Sequence, residues 1–285
     1  YGKKFYGPST LRKGIEYSRN LMTVRVAQNV GLEKILKLSK DLNIYDDIPE
    51  LLSVSLGSAE TTLLKITNAY ATFVNGGKKI SPILINRIQD RRGKTIFNSE
   101  KRKCLGCDRL DKDSKEIPTI QNQTKQIISE ETAYQITSML EGAVSRGTGK
   151  KLRDLKVPLA GKTGTTNNNY DAWFIGYSSN LVIGVYVGYD KPQSLGKYET
   201  GSKAALPIFK NFIKKALYKD DFKPFQIPKN IFFSSIDYDT GERTNFNNPD
   251  SITEAFKLKD LKKMEKNNLN LYGKYDKLEK FRQFY

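Results

Sequence analysis

The sequence predicts a chain of mixed α and β structure, with an antiparallel hairpin set between helices. Two observations carry this. Residues 172–178 and 180–189 are apolar runs separated only by Ser178-Ser179-Asn180, a tight-turn sequence, and the second run alternates, with Leu181, Ile183, Val185 and Val187 on one face and Val182 and Tyr186 on the other. On either side of this pair, residues 130–145 and 204–217 carry apolar side chains at helical spacing.

The other elements follow in order. Residues 18–43 read as a helix with apolar positions at Val24, Val26, Val30, Ile35, Leu36 and Leu38, interrupted at Gly31. Residues 61–74 read as a second helix, ended by Gly76-Gly77. Residues 86–125 are polar and charged and read as an exposed excursion holding short strands at most. Ser129 is placed to cap the helix over 130–145, whose buried stripe is expected to be Ile136, Met139, Leu140, Ala143 and Val144, with Gly147 ending it. A strand is expected over 157–166, before the hairpin. Pro207 falls near the first turn of the helix over 204–217, where proline is tolerated. Past Asp220 the composition shifts to Pro, Asn and Lys. A boundary near 218 is therefore expected, dividing residues 1–217 from a small strand-bearing extension over 218–285 whose basic tail, from 251 onward, reads as helical.

With 38% hydrophobic and 11% aromatic residues the chain can bury a real core. It starts at Tyr1 within a polar run, with no leader sequence or membrane-length apolar stretch, and reads as part of something longer. The net charge of +17 comes from 48 basic and 31 acidic residues spread along the chain. No helix-turn-helix or RNA-binding motif concentrates them, so a nucleic-acid partner is not expected. There is no histidine. Ser-His-Asp and Cys-His catalysis are therefore excluded within this chain, as are imidazole metal sites, and acyl transfer would need the Ser-Lys variant. Cys104 and Cys107, the two cysteines, cannot close a structural zinc site without histidine. They read as a local disulfide stapling an exposed loop, which implies an oxidising compartment, with two free thiols as the alternative.

Two short elements carry chemistry. Gly161-Lys162-Thr163-Gly164-Thr165-Thr166 follows the apolar run at 157–160. On a sheet edge such a strand suits a peptide ligand: Lys162 supplies positive potential, the hydroxyls of Thr163 and Thr165 can bind a carboxylate, and Gly164 lets a substrate backbone approach. Alone it could equally be a plain strand with a surface lysine. Upstream, Tyr17-Ser18-Arg19-Asn20 stands at a helix start, where a Ser-x-Asn could be no more than a cap. Together and in this order, a Ser-x-Asn type element and a Lys-Thr-Gly strand are two of the three motifs of penicillin-binding proteins and class A β-lactamases.

Further segments extend the pattern: Gly57-Ser58-Ala59-Glu60-Thr61-Thr62, the run from Ala69 to Gly77, Met139 to Val144, Gly147-Thr148-Gly149, and Asp171-Ala172-Trp173-Phe174-Ile175-Gly176-Tyr177. On these residues the chain resembles class A, bifunctional penicillin-binding proteins of the 1A type, from Tyr6 to about Phe256. The resemblance implies an α/β (α+β) sandwich, an antiparallel sheet flanked by helices, with its N-terminal portion outside this stretch. It implies acyl transfer to and from D-alanyl stem peptides, with β-lactams trapped at the same step. Ser18 would shuttle a proton, Asn20 would bind a substrate amide, Lys162 would set the electrostatics, Thr163 and Thr165 would hold the terminal carboxylate at Gly164, and the Thr165 N–H would serve as an oxyanion donor. No cofactor or metal is implied. The implied partners are peptidoglycan stem peptides, β-lactams and cell-wall synthesis proteins, at the periplasmic face of the inner membrane, with the anchor and a glycosyltransferase domain upstream.

One departure bears on activity. The family's nucleophile motif, S-x-x-K, lies upstream of Ser-x-Asn. The S-x-x-K match in this chain, Ser194-Leu195-Gly196-Lys197, follows the Lys-Thr-Gly strand and sits among Pro192, Gly196 and Gly201, where a helix is not expected. The chain by itself is thus read as unable to form an acyl-enzyme. The rival readings are a non-catalytic remnant or interaction module of the same fold, and a basic binding protein.

Overall fold

The computed structural model describes residues 6–100, 102, 104–107, 117–121, 124–218 and 221–261. Short helix α1 (Leu11–Glu16) is followed by α2 (Asn20–Val30) and α3 (Leu32–Asp41), and then by α4 (Leu63–Val74). The single helix expected over 18–43 is therefore two. Gly31 stands between them at φ 92°, a backbone setting that ends a helix and favours glycine. Of the apolar positions expected along it, Leu36 is buried, whereas Val26, Val30 and Leu38 are exposed, and α2 buries the small Ala27 instead. Thr62 caps α4 by accepting from the Lys65 N–H.

The polar excursion holds two small ladders: β1 (Arg87–Gln89) with β2 (Thr95–Asn98), and β3 (Cys104–Leu105) with β4 (Thr119–Ile120). Cys104 and Cys107 are disulfide-bonded there, their Cα atoms 5.6 Å apart. Helix α5 (Glu130–Ser145) starts where Ser129 accepts from the Thr132 N–H. It buries Ala133, Thr137, Leu140, Gly142, Ala143 and Val144, so small residues make up much of the stripe expected to run through Ile136 and Met139.

The central sheet has the order β5 (Ala160–Thr165), β6 (Ala172–Tyr177), β7 (Val182–Val187), both pairs antiparallel. The β6–β7 turn closes with the Ser178 N–H donating to the Leu181 carbonyl. Helix α6 (Ala205–Ala216) covers one face, where Phe174 of β6 meets Phe209 edge-on at 4.9 Å between centroids. Leu152, Leu159, Leu206 and Ile213 complete that core. Each large side chain buried there stabilises the fold by about 1.5–3 kcal/mol. Helices α4 and α5 pack on the sheet from the other side, with Tyr70, Leu140 and Tyr177 in a second cluster.

Residues 251–257 correct the sequence reading. Instead of beginning a helical tail they form β9 (Ser251–Lys257), antiparallel to β8 (Ile231–Asp237) through seven register pairs from Ile231↔Lys257 to Asp237↔Ser251. Phe232 stacks on Phe256 across this hairpin, with centroids 5.5 Å apart. Leu258–Asp260 then form one short 3-10 turn, and residues 262–285 of the expected tail lie outside the described residues.

Glu141 on α5 is pushed up to about 7 by burial, against the pull of the Arg12 and Arg146 charges. Between the ordinary 4.5 and about 7 the folded chain holds a proton that the unfolded chain has lost, so stability from this group falls as pH rises through that window. Above it the buried charge costs at most about 3 kcal/mol. Glu141→Gln should therefore raise the melting temperature at pH 8 and change it little at pH 5, as read by thermal unfolding followed by circular dichroism. An equal effect at both pH values would contradict this account.

Candidate active site

Strand β5 is the edge of its sheet. It pairs with β6 from Ala160↔Tyr177 to Thr165↔Ala172, and its other side carries no strand among the described residues. Lys162 lies in register with Ile175 and Gly184, and a Cβ at Gly184 would meet Leu63 and Thr67 of α4. Its ammonium donates to the Ser18 hydroxyl oxygen at 2.7 Å and to the Thr163 carbonyl at 2.9 Å. Two segments distant in sequence thus meet in one contact. Burial pulls the Lys162 ammonium down from 10.5 to about 8. Because Ser18 Oγ accepts from the lysine, its own hydrogen is left to point elsewhere.

Ser18 is not the first residue of a helix. It sits at φ 54°, a left-handed setting rare for serine, between the end of α1 and the start of α2. The Ser18 N–H donates to the Ile15 carbonyl at 3.2 Å and the Arg19 N–H to the Gly14 carbonyl at 2.9 Å, which holds the turn. Non-glycine residues in this region cost on the order of 1 kcal/mol and cluster at functional sites. Asn20 opens α2 and is exposed, with no side-chain hydrogen bond among the described residues. The Arg19 guanidinium lies 4.2 Å from the Tyr6 ring and donates to Ser9 Oγ at 2.6 Å.

The two threonines of β5 differ. Thr163 donates its hydroxyl to Thr148 Oγ1 at 2.8 Å, so its proton faces inward to the turn after α5 rather than the open edge. Thr165 Oγ1 accepts from the Gly201 N–H at 3.0 Å, which fixes its oxygen and leaves its hydrogen free to donate. Gly164 stands opposite Trp173, whose ring lies 4.7 Å from that of Tyr186. Sequence reasoning gave Thr148 and Gly201 no role in the site. Gly147-Thr148-Gly149 was legible as a motif, but its hydroxyl contact with Thr163 spans two elements and has no local signal.

The chain as a whole has relatives among known proteins. Residues 1–214 match the family model described as "Penicillin binding protein transpeptidase domain". The chain belongs to the penicillin-binding protein transpeptidase family. It is 44% identical over 270 residues to penicillin-binding protein 1A of Rickettsia typhi, covering 93% of this chain and 34% of that protein. Against penicillin-binding protein 1A of Pseudomonas aeruginosa the identity is 33% over 287 residues, covering 90% and 35%. The crystal structure of penicillin-binding protein 1A from Haemophilus influenzae superposes with a TM-score of 0.74 at 30% identity, covering 89% of this chain and 40% of that one. The chain spans about a third of the length of the relatives it matches. The expected architecture, an antiparallel sheet flanked by helices, is that of this family.

Ser194 and Lys197, the S-x-x-K match, lie on non-helical chain, and Ser194 donates to the Asn168 carbonyl at 2.9 Å. A cavity of about 820 Å³, lined by Lys150, Arg153, Lys156, Leu206 and Lys210 among others, shares no residue with the Ser18–Lys162 contact. Among the described residues no helix is long and apolar enough to cross a membrane.

The Lys162 environment predicts a direct observable. In the 285-residue chain carrying 13C-labelled lysine, one resonance should titrate near pH 8, and Lys162→Arg should remove it. A chain whose lysines all titrate near the ordinary value of about 10.4 would contradict the burial described here.

Proposed function

We propose that this chain carries the Ser-x-Asn and Lys-Thr-Gly elements of a peptidoglycan D,D-transpeptidase and works with a serine nucleophile from an S-x-x-K segment outside it. The observation that carries this reading is the Lys162–Ser18 contact at 2.7 Å beside the open edge of β5.

In this reading a stem peptide lies along that edge as an added strand, its main chain pairing with β5 and its terminal carboxylate facing the Thr165 hydroxyl. The nucleophilic serine attacks the carbonyl carbon of the penultimate D-alanine. The Thr165 N–H stabilises the oxyanion as one of two donors, the other belonging to that serine. As the C–N bond breaks, the nucleophile's proton, taken up by the lysine of that S-x-x-K segment, is relayed through the Ser18 hydroxyl to the leaving nitrogen, so that D-alanine departs and Ser18 keeps a proton. The amine of a neighbouring strand then attacks the ester, which forms the crosslink and returns the proton to the serine. Lys162 keeps positive potential at the carboxylate and holds Ser18 Oγ by donation, while Asn20, exposed at the start of α2, is free to bind a substrate amide. Thr163, its proton committed to Thr148, organises the strand in this reading rather than binding the carboxylate.

β-Lactams would be captured at the acylation step. A structural neighbour, PonA1 of Mycobacterium tuberculosis, was solved in complex with penicillin V, and at 20% identity and a TM-score of 0.63 it supports the likeness of fold. The parent protein is proposed to act at the periplasmic face of the inner membrane among other cell-wall synthesis proteins, where the Cys104–Cys107 disulfide would persist.

A fluorescent penicillin tests the reading. The 285-residue chain alone should form no covalent adduct, and a band lost on Ser194→Ala would overturn that. In a protein joining this chain to an S-x-x-K segment, Lys162→Ala should slow acylation about 10²–10³-fold, the usual cost of one oriented transition-state contact. Lys162→Arg should be milder because the charge survives, and Thr165→Val should also be slower. Wild-type acylation by Lys162→Ala would remove the lysine from the mechanism.

A further inference from the structure

Directly before Tyr17-Ser18, the side chain of Glu16 is fully buried. Arg146 donates to it from Nη2 at 2.5 Å and from Nε at 3.2 Å, Tyr238 OH donates at 2.6 Å, and Arg12 Nη1 at 3.4 Å. Arg12, itself buried, forms a two-point ion pair with Glu254, from Nε to Oε2 and from Nη2 to Oε1, and donates to the Ser138 carbonyl at 2.9 Å. A Cβ at Gly142 would overlap the Glu16 carboxylate, so only glycine lets α1 sit this close to α5.

Two members of this cluster come from the C-terminal hairpin. Glu254 is on β9 and Tyr238 directly follows β8, both beyond the 214 residues the family model covers. Burial, together with the hydrogen bond to Glu16, holds the Tyr238 hydroxyl above the ordinary tyrosine range, so it stays a donor. From Glu16 a chain of contacts leads to the site. The Glu16 carbonyl accepts from the Thr148 N–H at 3.1 Å, and the Thr148 hydroxyl accepts from Thr163 at 2.8 Å. Glu16 therefore fixes the Ser-x-Asn turn from below, while Lys162 meets Ser18 from the strand.

We propose that the hairpin β8–β9 is a positioning device for the transpeptidase site: Tyr238 and the Arg12–Glu254 pair lock Glu16, and Glu16 acts as a positioning residue that sets Ser18 against Lys162. The proposal rests on the functional reading above and adds to it a region beyond the residues that the transpeptidase family model matches. It also explains why a segment remote in sequence sends two polar side chains into a buried cluster beneath the motif.

A readout that a purely stabilising role would not move is the titration of Lys162. Its partners are the Ser18 hydroxyl and the Thr163 carbonyl, and no ion pair reaches it among the described residues, so burial sets its pKa. If Ser18 drifts away, water reaches the ammonium and the titration moves up. The experiment follows the Lys162 resonance in the 285-residue chain. Tyr238→Phe and Glu16→Gln should each shift it upward by about one unit or more toward the ordinary value of about 10.4. Ile213→Val, which thins the α6 core on the far side of the sheet, should lower the melting temperature and leave the titration in place. If Glu16→Gln fails to fold, Tyr238→Phe decides alone. A folded Tyr238→Phe whose Lys162 titrates as in the wild type overturns the positioning role and leaves the site reading intact. A wild-type Lys162 that already titrates like an exposed lysine overturns both.

Discussion

A carboxylate cannot be taken out of water alone, and the arrangement around Glu16 follows from that constraint. Removing one partner of a buried, hydrogen-bonded ion pair typically costs about 3–5 kcal/mol, because the remaining charge is left unpaired in a poorly solvating interior. Glu16 meets the constraint with two arginines and a tyrosine drawn from α1, the end of α5 and the C-terminal hairpin. Each donor brings its own element with it. The turn carrying Ser18, the helix α5 that leads to Thr148, and β8–β9 are thereby fastened at one point. The left-handed setting of Ser18 is then over-determined by its surroundings, as a strained residue must be to persist.

Above that anchor, the proposed chemistry depends on the outer edge of β5. Strand β5 is saturated on one side by β6 and meets no strand on the other among the described residues, which in the proposed reading leaves room for an extended peptide to pair with it. Polar groups along it divide between holding and binding. Thr163 turns inward to Thr148, whereas Thr165 is held by the Gly201 N–H in an orientation that frees its proton. Lys162 is partly withdrawn from water, which brings its titration within reach of neutral pH and strengthens its field at the edge. The same withdrawal makes the lysine responsive to small displacements of Ser18.

Local signals carried much of this into the sequence. Ser129 before an apolar helical stripe, the turn at Ser178-Ser179-Asn180 and the Gly31 interruption each have a short-range physical cause, and each is found in the fold. The motif residues Ser18 and Lys162 were legible as types in order, and the structure brings them within hydrogen-bonding distance. Long-range features were not legible. Residues 251–257 form a strand because Ile231–Asp237 lies beside them; they hold a single lysine, Lys257, and read as helical only when grouped with the lysine-rich residues that follow. Glu16 looked like one acidic residue among many, since its meaning comes from Arg146 and Tyr238, far away in sequence. Thr148 and Gly201 entered the site in the same way.

The central claim is that Ser18 and Lys162 act as one unit across two segments. The direct test is a double-mutant cycle on β-lactam acylation, in a protein that joins this chain to an S-x-x-K segment, using Ser18→Ala, Lys162→Ala and the pair. Residues in direct contact typically couple by about 0.5–3 kcal/mol, whereas independent sites add to within a few tenths. The account predicts that the double variant is slowed little beyond the worse single one, a coupling of at least about 1 kcal/mol. Losses that simply multiply would contradict it.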